Sequence, residues 1–246
     1  MTYDTIEGRN PVLEALRAER PINKIFLAKG GGEHTWQEII NLAKVRNVPI
    51  QWLAKQQLEE KALTKAHQGI IALASPINYV SIEEIIANAK QKGEDPFIVI
   101  LDHLEDPHNL GAILRTADAV GVHGVIIPSR RGVSVNSTVA KTSAGAVEYV
   151  PVAKVTNLVK CIESLKELGC WVVGLEADAE KMFSTANLYG PLAVVIGSEG
   201  KGISRLVKEN CDFTVKIPMK GQLNSLNASA AAAVMFYEIF RQRKYK

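Results

Sequence analysis

Three polar segments interrupt an otherwise apolar α/β pattern, and each lies where a hydrophobic strand gives way to a helix. They are Asn109–Thr116, Ile196–Gly202 and Ile217–Gly221, the last running on to Ser229. Open parallel sheets bind their ligands at this kind of position. The segments carry an arginine, a glutamate and several asparagines and serines, which together could hold a polar ligand. They are therefore the first candidates for a functional site.

The first segment begins a helix and carries a single arginine. Asp106 and Pro107 have the form of an N-cap followed by proline at the first helical position. The helix places Arg115 away from its apolar stripe, beside the small residues Ala112 and Ala119. One interpretation is a solvated arginine on an exposed face. The other is a guanidinium that binds a phosphate or a ribose, because its fork of donors matches phosphate geometry.

The second segment is rich in glycine. Gly197, Gly200 and Gly202 allow a backbone to approach a ligand closely, although a plain tight turn would use them too. The segment lacks the Gly-Lys-Ser/Thr ending of a Walker loop, and its spacing differs from the G-x-G-x-x-G of dinucleotide-binding enzymes. Glu199 favours a ligand site, because its carboxylate could fix a cationic or hydroxyl group.

The third segment is the most specific of the three. Pro218 ends a strand, Gly221 permits a loop, and a helix is predicted to begin near Ser225. Helix capping explains one of Asn224, Ser225 and Asn227, but it hardly explains all three. The others are candidates for substrate contacts.

Size and composition fit an ordinary globular protein of two domains. The 246 residues are 47% hydrophobic and 22% charged, and domains commonly hold about 100–150 residues. No stretch approaches the roughly 20 apolar residues of a membrane span, and the first residues lack the pattern of a secretory signal. The three cysteines and five histidines lack metal-ligand spacing, so we expect reduced thiols in a cytoplasmic protein and no metal site. The net charge of +3 permits an RNA partner without requiring one.

Alternating patterns in residues 1–75 predict a small α/β domain. Its helices are predicted at 10–20, 36–46 and 55–65, and its strands at 22–28, 48–53 and 69–74. Residues 76–94 turn polar and are predicted to be a linker, with a short helix leading into it.

A larger domain is predicted over residues 95–246. Its apolar runs indicate strands buried on both faces of a parallel sheet, at 97–101, 124–127, 147–150, 171–175, 192–196 and 213–217. Helices are predicted between them at 109–120, 157–168, 202–209 and 225–243. This alternation predicts a doubly wound parallel sheet. The basic tail, 241–246, is expected to be a frayed, solvated end.

In their order and spacing, the three polar segments resemble motifs 1, 2 and 3 of the SpoU family of RNA ribose 2′-O-methyltransferases, within the SPOUT superfamily. The likeness covers the whole second domain. The first domain, with its opening Ile6–Val12, is similar to the RNA substrate-binding domain that precedes the catalytic domain in a bacterial subgroup. That subgroup methylates a guanosine of 23S ribosomal RNA.

The resemblance implies a cofactor, an assembly and a set of site residues. Family members bind S-adenosylmethionine in a C-terminal trefoil knot and act as homodimers through the catalytic domain. The fold implied here is an α/β parallel-sheet SPOUT domain with that knot, preceded by a small α/β RNA-binding domain. The residues carried over as catalytic are Asn109, Arg115, Glu199, Ser225 and Asn227. Those expected to contact the cofactor are Leu175, Gly197, Ile217, Met219 and Leu226.

The reaction that the likeness implies suits these residue types. A ribose 2′-hydroxyl is a poor nucleophile, so the site must align it and ease the loss of its proton. Arg115 is expected to activate the hydroxyl through the adjacent phosphate, because an arginine stays protonated and makes a poor general base. The other four residues are expected to align Arg115, the ribose and the motif loops.

Three rival functions stay open at this point. A transfer-RNA 2′-O-methyltransferase shares the fold, and the extra first domain favours ribosomal RNA only by family likeness. A non-catalytic RNA-binding protein on the same scaffold would be expected to lack Arg115, Glu199 or Asn227, and all three are present. A nucleotide-binding oxidoreductase is disfavoured by the glycine spacing.

Overall fold

A computed structural model describes residues 3–30, 33–222 and 225–244 of the chain. The chain forms two compact units, which comprise residues 1–78 with 135–149 and residues 79–134 with 150–246. No helix in the described part of the chain has both the length and the apolar composition that a membrane span requires.

The strands and helices alternate along most of the chain. The strands are β1 (Asp4–Glu7), β2 (Ile22–Ala28), β3 (Ile50–Leu53), β4 (Ile70–Ala74), β5 (Phe97–Leu101), β6 (Gly124–Pro128), β7 (Val152–Val155), β8 (Trp171–Leu175), β9 (Lys181–Met182), β10 (Leu192–Ile196) and β11 (Phe213–Lys216). The helices are α1 (Arg9–Arg17), α2 (Glu33–Val45), α3 (Lys55–Glu59), α4 (Ile82–Gln91), α5 (Pro107–Val120), α6 (Ser137–Thr142), α7 (Leu158–Glu167), α8 (Arg205–Asn210) and α9 (Ala228–Lys244).

The first unit is built on a four-stranded sheet in the order β1-β4-β2-β3. Strand β4 is antiparallel to both of its neighbours, whereas β2 and β3 are parallel. Sequence patterning misses β1, because four residues are too few to show a period. The helix predicted over 55–65 ends at Glu59. The rest of the predicted helix is not helical, because the buried carboxylate of Glu7 accepts hydrogen bonds from the backbone N–H groups of Leu63 and Thr64.

Residues 135–149 belong to the first unit, although the sequence places them inside the second domain. Lys141 Nζ, on α6, donates a hydrogen bond of 2.9 Å to Thr64 Oγ1. Arg20 Nη1 donates one of 2.8 Å to Glu148 Oε1, and both side chains are nearly buried. The predicted boundary at residue 95 therefore assigns residues 135–149 to the wrong unit. Long-range contacts place them, and a sequence pattern does not show such contacts.

The strand predicted at 147–150 is wrong. Residues Ala146–Glu148 form a single 3₁₀ turn, because Ala144 and Gly145 just before them have left-handed backbone, with φ of 53° and 96°. The strand of this region is β7, which begins after Pro151 and pairs in parallel with β6.

The second unit contains a seven-stranded sheet in the order β7-β6-β5-β10-β8-β11-β9. Every pairing in it is parallel, as predicted. Strand β10 lies between β5 and β8, so that Val194 pairs with both Val99 and Val173. The carboxyl ends of β5, β10, β8 and β11 therefore lie side by side. The loops that follow these four strands meet at one edge of the sheet.

The predicted linker contains α4, a regular helix of the second unit. Ser81 Oγ accepts a hydrogen bond of 3.1 Å from the backbone N–H of Glu84. The Glu84 carboxylate accepts one of 2.6 Å from the backbone N–H of Ser81, which completes a capping box. Ile85 and Ile86 are buried in the core. The polar composition that suggested a linker belongs to the exposed positions of this helix.

The expectation of a frayed basic tail is wrong for Arg243. Its guanidinium is half-buried and donates hydrogen bonds to the backbone carbonyls of Asp95, Pro96 and Gly190, at 2.9, 3.0 and 2.5 Å. It also lies 5.1 Å from the centre of the Phe97 ring. The last turn of α9 is therefore fastened to the loops that precede β5 and β10.

The three cysteine side chains are free thiols. Burial raises the pKa of the Cys161 and Cys211 thiols to about 12, so they are protonated and poorly nucleophilic at neutral pH. Within the described ranges, no group of three or more His, Cys, Asp or Glu side chains could hold a metal ion.

Candidate active site

Side chains from all three polar segments meet at the carboxyl edge of the sheet in the second unit. Asn109 Nδ2 donates a hydrogen bond of 3.0 Å to Glu199 Oε1. Asn227 Nδ2 donates to the same carboxylate oxygen and to Asn109 Oδ1, at 3.0 Å. These three side chains form one cluster, although 118 residues separate Asn109 from Asn227 along the chain.

Helix α9 begins in this cluster. Asn227 Oδ1 caps the helix by accepting hydrogen bonds from the backbone N–H groups of Ser229 and Ala230, at 3.0 and 3.2 Å. Glu199 Oε1 accepts a third hydrogen bond, of 3.4 Å, from the backbone N–H of Ala228. The carboxylate therefore lies at the positive end of the helix dipole, which stabilises its charge.

Helix α5 positions Asn109 from the opposite side. Asp106 caps this helix by accepting a 2.9 Å hydrogen bond from the backbone N–H of His108, and Pro107 occupies the first helical position, as the sequence predicted. Asn109 then falls in the first turn, where its side chain is buried. A buried amide must be hydrogen-bonded, and Glu199 and Asn227 supply its partners.

The glycine-rich loop after β10 closes on itself. Ser198 and Gly202 exchange two backbone hydrogen bonds, of 3.1 and 3.0 Å. A Cβ on Gly197 would lie 2.1 Å from the carbonyl carbon of Gly202, so a larger residue cannot occupy this position without moving the loop. The close approach that the sequence attributed to a ligand is thus made by the loop's own backbone, and it fixes where Glu199 stands.

Two carboxylates that sequence reasoning missed anchor the far end of this loop. Asp102, which is fully buried, accepts a 2.7 Å hydrogen bond from the backbone N–H of Ser204. Glu176 accepts one of 2.6 Å from the backbone N–H of Ile203. Neither acid belongs to one of the three polar segments, so no motif marks it. The available signal is its place directly after an apolar strand, β5 for Asp102 and β8 for Glu176.

A cavity of about 350 Å³ opens beside this loop. All five residues predicted to contact a cofactor line it, namely Leu175, Gly197, Ile217, Met219 and Leu226. Glu199 and Ser225 line it as well, and so do the carboxylates of Glu176 and Asp178. The cavity and the asparagine–glutamate cluster therefore share a wall.

The structure places Arg115 apart from the cluster. It lies six residues beyond Asn109 on α5, which is about 9 Å along the helix axis and on a different face. Its side chain is exposed, and it forms no hydrogen bond or ion pair with a described residue. Ser225 is likewise without a hydrogen bond to the described part of the chain, and Asn224 lies outside the described residues.

The arrangement can orient a polar ligand without a metal ion. Two amides and a backbone N–H converge on Glu199 Oε1, which leaves Oε2 available to a ligand among the described groups. The amides themselves are held by these bonds and by the start of α9. Such a preorganised group suits the alignment of a hydroxyl for transfer.

Comparison with known proteins shows the family of this chain. Residues 96–237, which contain the cluster and the cavity, match the SpoU rRNA methylase family. The chain belongs to this SpoU family. Residues 5–80 match the domain described as RNA 2′-O ribose methyltransferase substrate binding, so both parts of the family architecture are present.

Relatives and solved structures extend the likeness over almost the whole chain. YacO of Bacillus subtilis, named as a TrmH family tRNA/rRNA methyltransferase, is 47% identical over 98% of this chain and 96% of its own. A solved RNA 2′-O ribose methyltransferase is 28% identical, with a TM-score of 0.79 over 97% of this chain and 88% of its own. The SpoU methyltransferase AviRb of Streptomyces viridochromogenes, solved with AdoMet, shares the fold at 23% identity, with a TM-score of 0.81 over 97% of this chain and 89% of its own.

Three of the sequence-based predictions are confirmed by these comparisons. The chain is a SpoU-family protein, it has the α/β parallel-sheet fold of SPOUT methyltransferases, and it is an RNA ribose methyltransferase. The trefoil knot stays a prediction.

Proposed function

We propose that this SpoU-family enzyme methylates the ribose 2′-hydroxyl of a guanosine in 23S ribosomal RNA, with S-adenosylmethionine as the methyl donor. The observation that carries the proposal is the Asn109–Glu199–Asn227 cluster on the wall of a cavity of cofactor size. The substrate-binding domain over residues 5–80 supports an RNA substrate. Free thiols in all three cysteines suit action in the cytoplasm, with a role in ribosomal RNA processing.

The cavity suits S-adenosylmethionine in size and in chemistry. Its volume of about 350 Å³ lies in the range of small-molecule sites. Leu175, Ile217 and Leu226 offer apolar contacts to an adenine ring, and the carboxylates of Glu176 and Asp178 suit hydroxyl and ammonium groups. When bound, the cofactor would supply a methyl group from its sulfonium centre. The neutral thioether that remains is a good leaving group, so its departure needs no metal ion.

The cluster acts on the ribose. Glu199 Oε2 and the amide of Asn109 hold the 2′-hydroxyl in line for attack, and Asn227 keeps both of them at the start of α9. Ser225, on the cavity wall, contacts the ligand at the boundary between cofactor and ribose. The enzyme therefore gains its rate mainly from alignment.

Arg115 completes the site from a second subunit. It is exposed and stands about 9 Å along α5 from Asn109. Exposed apolar side chains lie on α9, which packs against α5, at Val234 and Tyr237. Burial of this face in a homodimer would bring the partner's α5 to the cluster. There the guanidinium binds the phosphate next to the target ribose and lowers the cost of removing the hydroxyl proton.

Mixed dimers test this arrangement. Arg115→Ala and Glu199→Gln should each lower the transfer rate about 100-fold in a pure dimer. A co-expressed dimer of the two variants contains one site with both native groups if Arg115 acts across subunits, and none if it acts within one chain. Recovery of up to half of the wild-type rate supports the proposal, and no recovery contradicts it.

The reaction itself is tested by transfer of tritium from labelled S-adenosylmethionine to unmodified 23S ribosomal RNA, followed by mapping of the 2′-O-methyl group. A label on one guanosine ribose is the expected result. Transfer RNA is the second candidate, because the name of the 47% identical YacO includes tRNA. Preferential labelling of a transfer-RNA transcript would favour it, and no labelling of either RNA would refute the proposed activity.

The first unit selects the RNA. A deletion of residues 1–75 would strip α6 of its partners and expose Val139 and Ala140, which are buried, so a deletion is a poor test. Charge reversal of Lys24 and Lys61, which flank the Phe26 ring at 5.9 and 5.3 Å, leaves the core intact. Weaker binding of 23S RNA with unchanged cofactor affinity is expected, and unchanged RNA binding would argue against this surface.

A further inference from the structure

A second cavity, of about 560 Å³, adjoins the first. The two share the wall formed by Ser198, Glu199, Lys201 and Gly202. Asn109 lines only the second cavity, together with residues of the loop after β5 and with Arg131 from the loop after β6. The asparagine–glutamate cluster therefore faces two chambers, and the proposed cofactor accounts for only one of them.

Two cations at the second cavity have no ion-pair partner among the described residues. Arg131 and Lys201 both line it and are exposed, and neither forms an ion pair or hydrogen bond with a described residue. Two of its three carboxylates are already engaged, since Asp106 caps α5 and Glu199 belongs to the cluster. The third, Glu105, is exposed to solvent. The free cations suit an anionic ligand, and an arginine fork matches phosphate geometry.

The walls of this cavity are held in an unfavourable backbone conformation. Arg131 and His103 both line it, and both have left-handed backbone, with φ of 57° and 56°. Such residues persist only where the surrounding structure enforces them, and they cluster at functional sites. The enforcement is visible here, because the backbone N–H of Val133 donates a 2.7 Å hydrogen bond to the carbonyl of Leu104. That bond ties the loop of Arg131 to the loop of His103.

The ring of His103 is fixed as well. Its Nδ1 is hydrogen-bonded to the carboxylate of Asp102, which is fully buried and also holds the backbone N–H of Ser204. The other ring nitrogen, Nε2, is the one left for a ligand. The cavity therefore presents a positioned imidazole, two free cations and the cluster in a single chamber.

We infer that Arg131 and Lys201 bind the phosphates that flank the target ribose of the RNA in this second cavity. The inference rests on the proposed function, since a ribose placed against Asn109 and Glu199 would face the first cavity across the shared wall. The phosphates that flank this ribose then lie at Arg131 and Lys201. A nucleotide is polar on the sugar and anionic on both sides of it, which matches the distribution of groups around the cavity.

Matched pairs of variants test the inference through RNA binding, measured with an unmodified 23S RNA transcript and no methyl donor. Arg131→Gly should raise the Kd about tenfold and lower the salt dependence of log K by about 0.7–0.9, as loss of one phosphate contact does. Glycine adopts the φ of Arg131 without strain, so the fold is kept. Arg130→Ala is the control, because Arg130 is an exposed neighbour outside the cavity lining. Its Kd should change less than twofold.

Lys201→Ala and its control Lys220→Ala repeat the comparison on the loop after β10 and the segment after β11. The affinity for S-adenosylmethionine, measured by calorimetry, should be unchanged in Arg131→Gly and Arg130→Ala, because neither arginine lines the first cavity. Equal effects of Arg131→Gly and Arg130→Ala on RNA binding would overturn the inference. If the wild type methylates RNA while these pairs behave alike, only this inference fails. If the wild type transfers no methyl group, the proposed function fails, whatever the binding data show.

Discussion

The two ends of α9 hold polar side chains in different ways. At its N-cap, Asn227 bonds to the side chains of Asn109 and Glu199, beside two cavities. At its last turn, Arg243 donates to three backbone carbonyls. The buried Gln242 there donates to the carbonyl of Ala186 and accepts from a backbone N–H. The side chains at the start of the helix therefore bond to other side chains, whereas those at its end bond to backbone groups of the preceding loops.

This difference separates function from stability within one helix. Backbone groups that leave water must be hydrogen-bonded, and the side chains at the last turn of α9 meet that need for the loops before β5 and β10. The side chains at the start of the helix bond mainly to one another, and the cap satisfies the backbone N–H groups there. They also face the two cavities. Substitutions at the first end should therefore slow the reaction, and substitutions at the last end should lower the free energy of unfolding.

Glu199→Ala should have the largest effect of all. It removes the acceptor of three hydrogen bonds, so that Asn109 and Asn227 lose their alignment, and misplacement of such groups can cost about 100-fold in rate. Transfer of tritium from labelled S-adenosylmethionine measures it. Glu209→Ala, on the exposed surface of α8 where it pairs with Arg205, should keep the wild-type rate. A normal rate for Glu199→Ala would remove the cluster from the mechanism.

Arg243→Ala tests the opposite end. Loss of a half-buried guanidinium that bonds to three carbonyls should lower the free energy of unfolding by about 3 kcal/mol, measured by urea denaturation. The turnover of the folded enzyme should stay near that of the wild type. Arg241→Ala is the matched control, since Arg241 is exposed and pairs with Glu238 of the same helix. If both arginines behaved alike, the last turn of α9 would not be the fastening that its contacts indicate.

Two helix caps, one beside the cluster and one remote from it, allow the same comparison of rate and stability with smaller expected effects. Asp106 caps α5 beside the cluster, and Asn157 caps α7 by accepting from the backbone N–H groups of Val159 and Lys160. Replacement of either by alanine should cost about 1 kcal/mol of stability. Only Asp106→Ala should also slow methyl transfer, because its helix carries Asn109. Equal rates for the two variants would show that the position of Asn109 does not depend on this cap.

The smallest effect expected is a pH dependence at the stabilising end. His123 Nδ1 accepts a 3.0 Å hydrogen bond from the backbone N–H of Phe97, and Nε2 lies 3.0 Å from Glu94 Oε2. Burial lowers the pKa of His123, and the bond to Glu94 opposes this only in part. In the unfolded chain, His123 takes up a proton near pH 6.5. In the folded protein it does so only at a lower pH, so the free energy of unfolding decreases as the pH falls below about 6.5.

Denaturation at pH 7.5 and pH 5 measures this dependence. The wild type should lose more stability on acidification than His123→Gln does. His108→Gln, at an exposed position, should follow the wild type. A steeper loss in His123→Gln would show that Glu94, rather than burial, controls this histidine.

Much of the architecture follows from local patterns. The runs at 97–101, 171–175 and 192–196 are strands with the predicted bounds, because a strand buried on both faces leaves an unbroken apolar signal. The three polar segments likewise predicted Asn109, Glu199 and Asn227 as site residues, and the structure brings their side chains together. The five residues expected at the cofactor line one cavity, and their role stays a prediction.

The tertiary structure decided how these parts come together. Insertion of β10 between β5 and β8 brings the three segments to one place, and no local period encodes the order of parallel strands. Asp102, Glu176 and Arg243 act through long-range hydrogen bonds to backbone groups, which leave no pattern in a sequence. Sequence by itself therefore determined which residue types and strands are present, because these depend on near neighbours. Their partners depend on the order in which distant strands pair, and only the folded chain fixes that order.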